Sequence, residues 1–123
     1  MLRIKKLQVT FTCNFCRGSN ANIGRMASGI HSICGFSTGV VVTSNMGEVM
    51  CSKLKSGVSV KEAFFATAHE TQPWKDQWSN RTACVFTTNS CADDRIWGYG
   101  KVAKDPIPYA KNSSGYVKYS YDY

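Results

Sequence analysis

The chain has 123 residues, and its 15 basic and 8 acidic side chains give a net charge of +7. With 43% hydrophobic and 19% charged residues it can bury a core, which excludes a disordered tail. No apolar run reaches the ~18 residues of a membrane span, and the surplus of positive charge favours acidic partners no more than a surface of spare lysines would.

The chain opens on the basic stretch Met1 to Lys6. Leu7 to Phe15 carries Gln8, Thr10, Thr12 and Asn14, too polar for a signal-peptide core, and no small-residue cleavage site follows. No export signal is readable. The default compartment is cytoplasmic, or extracellular if the chain belongs to a larger exported protein.

Leu7 to Thr12 alternates apolar and polar residues and predicts a strand that ends at Cys13. Loop signals follow, with Gly18, Ser19 and Asn20 the clearest. Ile23, Met26, Ala27 and Ile30 then mark one face of a short helix. His31 to Phe36 is short, apolar and bounded by Gly and Ser, as a buried strand is, and Val40 to Thr43 either extends it or forms another. Met46, Met50 and Leu54 stack on a second helix from Met46 to Lys55, with Gly57 where a C-terminal cap belongs. Ser59 and Glu62 form a capping box ahead of a third helix, whose stripe is Val60, Ala63, Phe64, Thr67 and Ala68. Pro73 ends it.

A surface loop carrying Trp74 and Trp78 precedes a strand from Thr82 to Thr88. Asn89 to Arg95 reads as a turn holding Cys91, Asp93 and Asp94. Ile96 to Gly100 is a short strand or an ordered loop. Val117, Tyr119, Tyr121 and Tyr123 share one face of an edge strand. Strands that alternate with helices predict crossover connections, and hence an α/β fold with a small, mostly parallel sheet flanked by helices and a β or irregular C-terminal segment. The whole chain reads as a single domain. Its first strand wants a neighbour, which an N-terminal half or a second chain completing the sheet would supply.

In open α/β sheets ligands gather at the carboxyl ends of strands, where Cys13 stands with Arg17 nearby. On that placement Cys13 is the candidate nucleophile, against a buried or disulfide-bonded role. A base has to come from His31 or His69. His69 lies opposite the apolar stripe of its helix and faces solvent. His31 opens its strand at the end opposite to Cys13, which makes it a weak candidate base. Asp93 and Asp94 offer either a cation pair or a solvated turn.

Cys13-Asn14-Phe15-Cys16 is a C-x-x-C, but Gly18 to Asn20 separate it from the helix a redox motif needs, and Cys84 and Cys91 are poorly spaced for the other half of a zinc site. No cofactor and no metal are therefore expected. The six cysteines, Cys13, Cys16, Cys34, Cys51, Cys84 and Cys91, allow fifteen full pairings, and nothing in their spacing selects one. Tyrosines and tryptophans among lysines permit a nucleic-acid surface, without any recognised nucleic-acid motif.

Four segments together resemble a known superfamily. Val9-Thr10-Phe11-Thr12-Cys13, followed by Arg17-Gly18, looks like the nucleophile strand of caspase-like and gingipain-like cysteine peptidases. Ala27 to Thr38, Leu54 to Phe64, and Asp94 to Gly100 with Asp105-Pro106 are similar in order and spacing to an uncharacterised bacterial branch of that superfamily. The resemblance implies half of a three-layer α/β sandwich with Cys13 in the nucleophile position and a peptide or protein as substrate. Caspase-like enzymes carry the base on a strand upstream of the nucleophile, and no His precedes Cys13. The expectation is a hydrolase-like C-terminal half, inactive on its own. Two other readings stand beside it: a small basic, disulfide-containing secreted or surface binding protein, and a basic nucleic-acid-binding module.

Overall fold

A computed structural model describes residues 7–9, 30–38, 43–72, 82–96, 98–103 and 116–122. Strand β1 is Leu7–Val9 and β2 is Ser32–Phe36. Helices α1, Met46–Lys55, and α2, Val60–Thr71, follow. Strand β3 is Thr82–Thr88 and β4 is Tyr116–Asp122. The helix expected around Ile23, the residues Val40 to Val42 and the loop with Trp74 and Trp78 lie outside the described residues.

The four strands form one sheet in the order β1-β2-β3-β4. β1 runs parallel to β2, with Leu7 beside Ser32 and Val9 beside Cys34. β2 and β3 are antiparallel, and so are β3 and β4. The expected mostly parallel sheet is therefore wrong: its main body, β2-β3-β4, is antiparallel. The reason is that two helices stand among the described residues between β2 and β3. One helix carries a chain back across a sheet, so that the next strand runs parallel. Two in succession return it to the end it left, so β3 enters running the other way.

α1 begins at Met46 and stops where Gly57, at φ +91°, takes the left-handed conformation past the C-terminal cap. α2 begins where the Ser59 side chain accepts the Glu62 N–H at 3.2 Å. The Val60 N–H, one of the donors a helix start leaves over, is taken by the Asp94 carbonyl at 2.8 Å. The start of α2 is thereby fastened to the turn that follows β3.

Met46, Met50 and Leu54 of α1 and Val60, Ala63, Phe64 and Ala68 of α2 pack on Cys34, Phe36, Ala83 and Val85 of the sheet. The Phe36 and Phe64 rings meet at 5.3 Å in a tilted arrangement. Side chains alternate along a strand, so Ile33, Cys84 and Phe86 point to the other face, and they too are buried. On β4, Tyr121 stacks on Phe65, and the Lys61 ammonium lies over Tyr119 at 4.2 Å.

A buried histidine, cysteine and aspartate as the candidate functional site

His31 stands immediately before β2, and β3 ends beside it, since Thr87 pairs with Ser32. The Thr87 hydroxyl donates to the His31 carbonyl at 2.7 Å, which fixes the backbone at that corner. Past β3 the chain winds into turns. The Cys91 N–H bonds to the Thr88 carbonyl at 3.0 Å, and the Asp94 N–H to the Cys91 carbonyl at 3.1 Å. Each bond spans three residues. Side chains three apart in so tight a winding fall on the same side, so Cys91 and Asp94 point together while Asp93 between them is exposed.

They point at His31. Asp94 Oδ2 lies 2.5 Å from His31 Nδ1, and Cys91 Sγ lies 3.5 Å from the same nitrogen. All three side chains are buried, at 3% exposure for His31, 1% for Cys91 and 6% for Asp94. The other Asp94 oxygen accepts the Ala103 N–H at 2.7 Å, and Arg95 donates from Nε to the Gly57 carbonyl at 3.0 Å. One aspartate thus joins the start of α2, the segment at Ala103 and the corner before β2. Burial pushes the Cys91 thiol up; hydrogen bonds from Thr88 and Ser90 oppose this, and the nearby Asp94 charge adds to it.

The residue types are those of a nucleophile, base and orienting acid, but the geometry is not that of a relay. A relay uses both ring nitrogens, one toward the nucleophile and one toward the acid. Here Asp94 and Cys91 meet the same nitrogen. The thiol is also shut away from solvent, where burial favours its neutral form. What the arrangement does is satisfy buried polar groups and offer three metal-ligating atoms to one point.

Cys13, the candidate nucleophile, lies outside the described residues, as does Cys16. His31, the weak candidate base, is in the buried cluster, and its Nδ1 faces Asp94 and Cys91. β1 already reaches Cys34 at Val9, three residues along β2 from His31, and runs away from it. His69 is exposed on α2 as expected, with its Nδ1 3.2 Å from the Tyr121 hydroxyl. Cys91 and Asp94 were not foreseen as His31's neighbours. Asp94, read as half of a cation pair or of a solvated turn, is instead buried against an imidazole. Their spacing within one turn was the available signal.

Cys34, Cys51, Cys84 and Cys91 are thiols outside any disulfide. Cys34 and Cys84 sit on opposite faces of the sheet. No described helix is long and apolar enough to cross a membrane. No curated protein and no solved structure matches the chain. Residues 9–120 match the family described as Domain of unknown function (DUF6345), which covers β2, β3, both helices, the His31 cluster and most of β4, and takes in β1 only at Val9. The chain belongs to that family.

Proposed function

We infer that the chain is a cysteine-peptidase-like domain, or part of one, that engages a peptide or protein without cleaving it unaided. The observation that supports this is the seclusion of His31. The chain has two histidines. His31 is buried with Nδ1 held at 2.5 Å by Asp94, and His69 sits on the outer side of α2 against Tyr121. An unassisted cysteine with a pKa of about 8.5 is only a few per cent thiolate at neutral pH. The leaving amine also needs a proton, and acid–base help of this kind is worth roughly 10²–10⁴-fold. Without it, a thiol at Cys13 binds but does not turn over. The outer edge of β1, the last strand in the described sheet, suits a neighbouring strand from an N-terminal half or a second chain.

A panel of fluorogenic peptides on the purified chain tests the reading, and the expected result is no turnover above background. Turnover that both Cys13→Ala and His31→Ala abolish would overturn it and establish a Cys13–His31 dyad in its place.

A further inference from the structure

We propose that His31, Cys91 and Asp94 form a binding site for a divalent transition-metal ion, with Zn²⁺ the best match. This goes beyond the functional reading above and does not depend on it, because metal affinity and peptide turnover are measured separately. Three atoms of the types zinc prefers, an imidazole nitrogen, a thiol sulfur and a carboxylate oxygen, lie within 4.8 Å of one another, and all three residues are buried.

Zinc bonds of about 2.3 Å to sulfur and about 2.0 Å to nitrogen set those two atoms about 3.5 Å apart at the tetrahedral angle. The Sγ–Nδ1 separation is 3.5 Å. Oxygen and nitrogen donors on the same ion stand about 3.3 Å apart by the same geometry. Nδ1 and Oδ2 are 2.5 Å apart, so the ion has to part the imidazole and the carboxylate by about 0.8 Å. Sulfur and nitrogen are therefore spaced for the ion already, and the carboxylate is the ligand that adjusts.

Charge favours the same occupant. A thiolate and a carboxylate beside a neutral imidazole sum to −2, which a divalent cation cancels, and a neutral assembly is what a buried site tolerates. On binding, the Cys91 proton leaves to solvent and sulfur bonds the ion. The Nδ1 proton that faces Asp94 in the metal-free form is given up and Nε2 takes one up in its place, so the ring stays neutral and Nδ1 offers its lone pair to the ion. The ligands also have outer support. The Ala103 N–H holds Asp94 Oδ1 at 2.7 Å, and the Ser90 hydroxyl lies 3.9 Å from Cys91 Sγ. A water or a further donor takes the fourth position.

The test is Co²⁺ and Zn²⁺ binding to the full chain after chelator treatment and reduction. The expected result is one equivalent of Co²⁺ with a thiolate-to-cobalt charge-transfer band, displaced by Zn²⁺. Cys91→Ala abolishes the band. His31→Gln weakens Zn²⁺ binding by at least about 100-fold, beyond the roughly 10–100-fold that loss of an outer-shell partner costs. Circular dichroism of each metal-free variant identifies those that remain folded, and the comparison uses them. A Cys13→Ala, Cys16→Ala double variant keeps the band, because the C-x-x-C is not the site. Wild-type protein that gives no band, or a band that survives in Cys91→Ala and disappears with Cys13 and Cys16, overturns the proposal.

Discussion

The helix-facing side of the sheet and the corner where β2 begins are both closed to solvent, and they are held by opposite means. Beneath the helices, Met46, Met50, Phe64 and Ala68 meet Phe36 and Val85 in a cluster bound mainly by area and shape. At the corner, His31, Cys91 and Asp94 are equally secluded but bound by direction: one nitrogen, one oxygen 2.5 Å away and one sulfur 3.5 Å away. An apolar cluster loses stability in proportion to what is cut from it, whereas a polar one fails when a single partner is removed and leaves the others unsatisfied.

The largest effect should come from the apolar side. Phe64→Ala should cost about 3–5 kcal/mol, because the ring is fully buried and leaves a cavity between helix and sheet. Denaturant unfolding measures it, and an unchanged midpoint would mean that the buried face of α2 is misassigned. On the polar side, Asp94→Ala removes at once the carboxylate that holds the His31 imidazole and the acceptor of the Ala103 N–H. At about 1–3 kcal/mol for each buried group that loses its carboxylate acceptor, the loss should approach that of Phe64→Ala although far less volume is removed. Ser59→Ala, which removes the α2 cap, should cost about 1 kcal/mol.

The smallest effect is a slope. Burial, with Cys84 adding to it, pushes the Cys34 thiol far above its ordinary range. In the unfolded chain the same thiol ionises near pH 8.5. Above that pH the folded state holds a proton that the unfolded state has lost, so stability falls as pH rises. Thermal unfolding between neutral pH and about pH 9.5 should show this decline, and Cys34→Ala should flatten it.

The two regions also differ in how far the sequence discloses them. The apolar side was legible because it is periodic. Met46, Met50 and Leu54 recur at the helical repeat, the Ser59 and Glu62 cap marks where α2 starts, and the observed bounds of α1 and β3 coincide with those read from pattern. Strand direction was misread because the pattern was taken as simple alternation, although two helices stand between β2 and β3. The polar corner has no period. His31 is joined to residues about sixty positions away by the pairing of β2 with β3, which is a property of the sheet and not of any local run. Only the three-residue step from Cys91 to Asp94 was local enough to be seen.

The central claim is that His31 is a fastened part of the fold and not a base in waiting. A double-mutant cycle on His31→Ala and Asp94→Ala, measured by denaturant unfolding, tests it most directly. The account predicts a coupling of about 1–3 kcal/mol, because each single change already removes the 2.5 Å contact between the two buried side chains and the double change loses that contact only once. Effects that add to within about 0.5 kcal/mol would show that the two residues do not hold one another and would contradict the account.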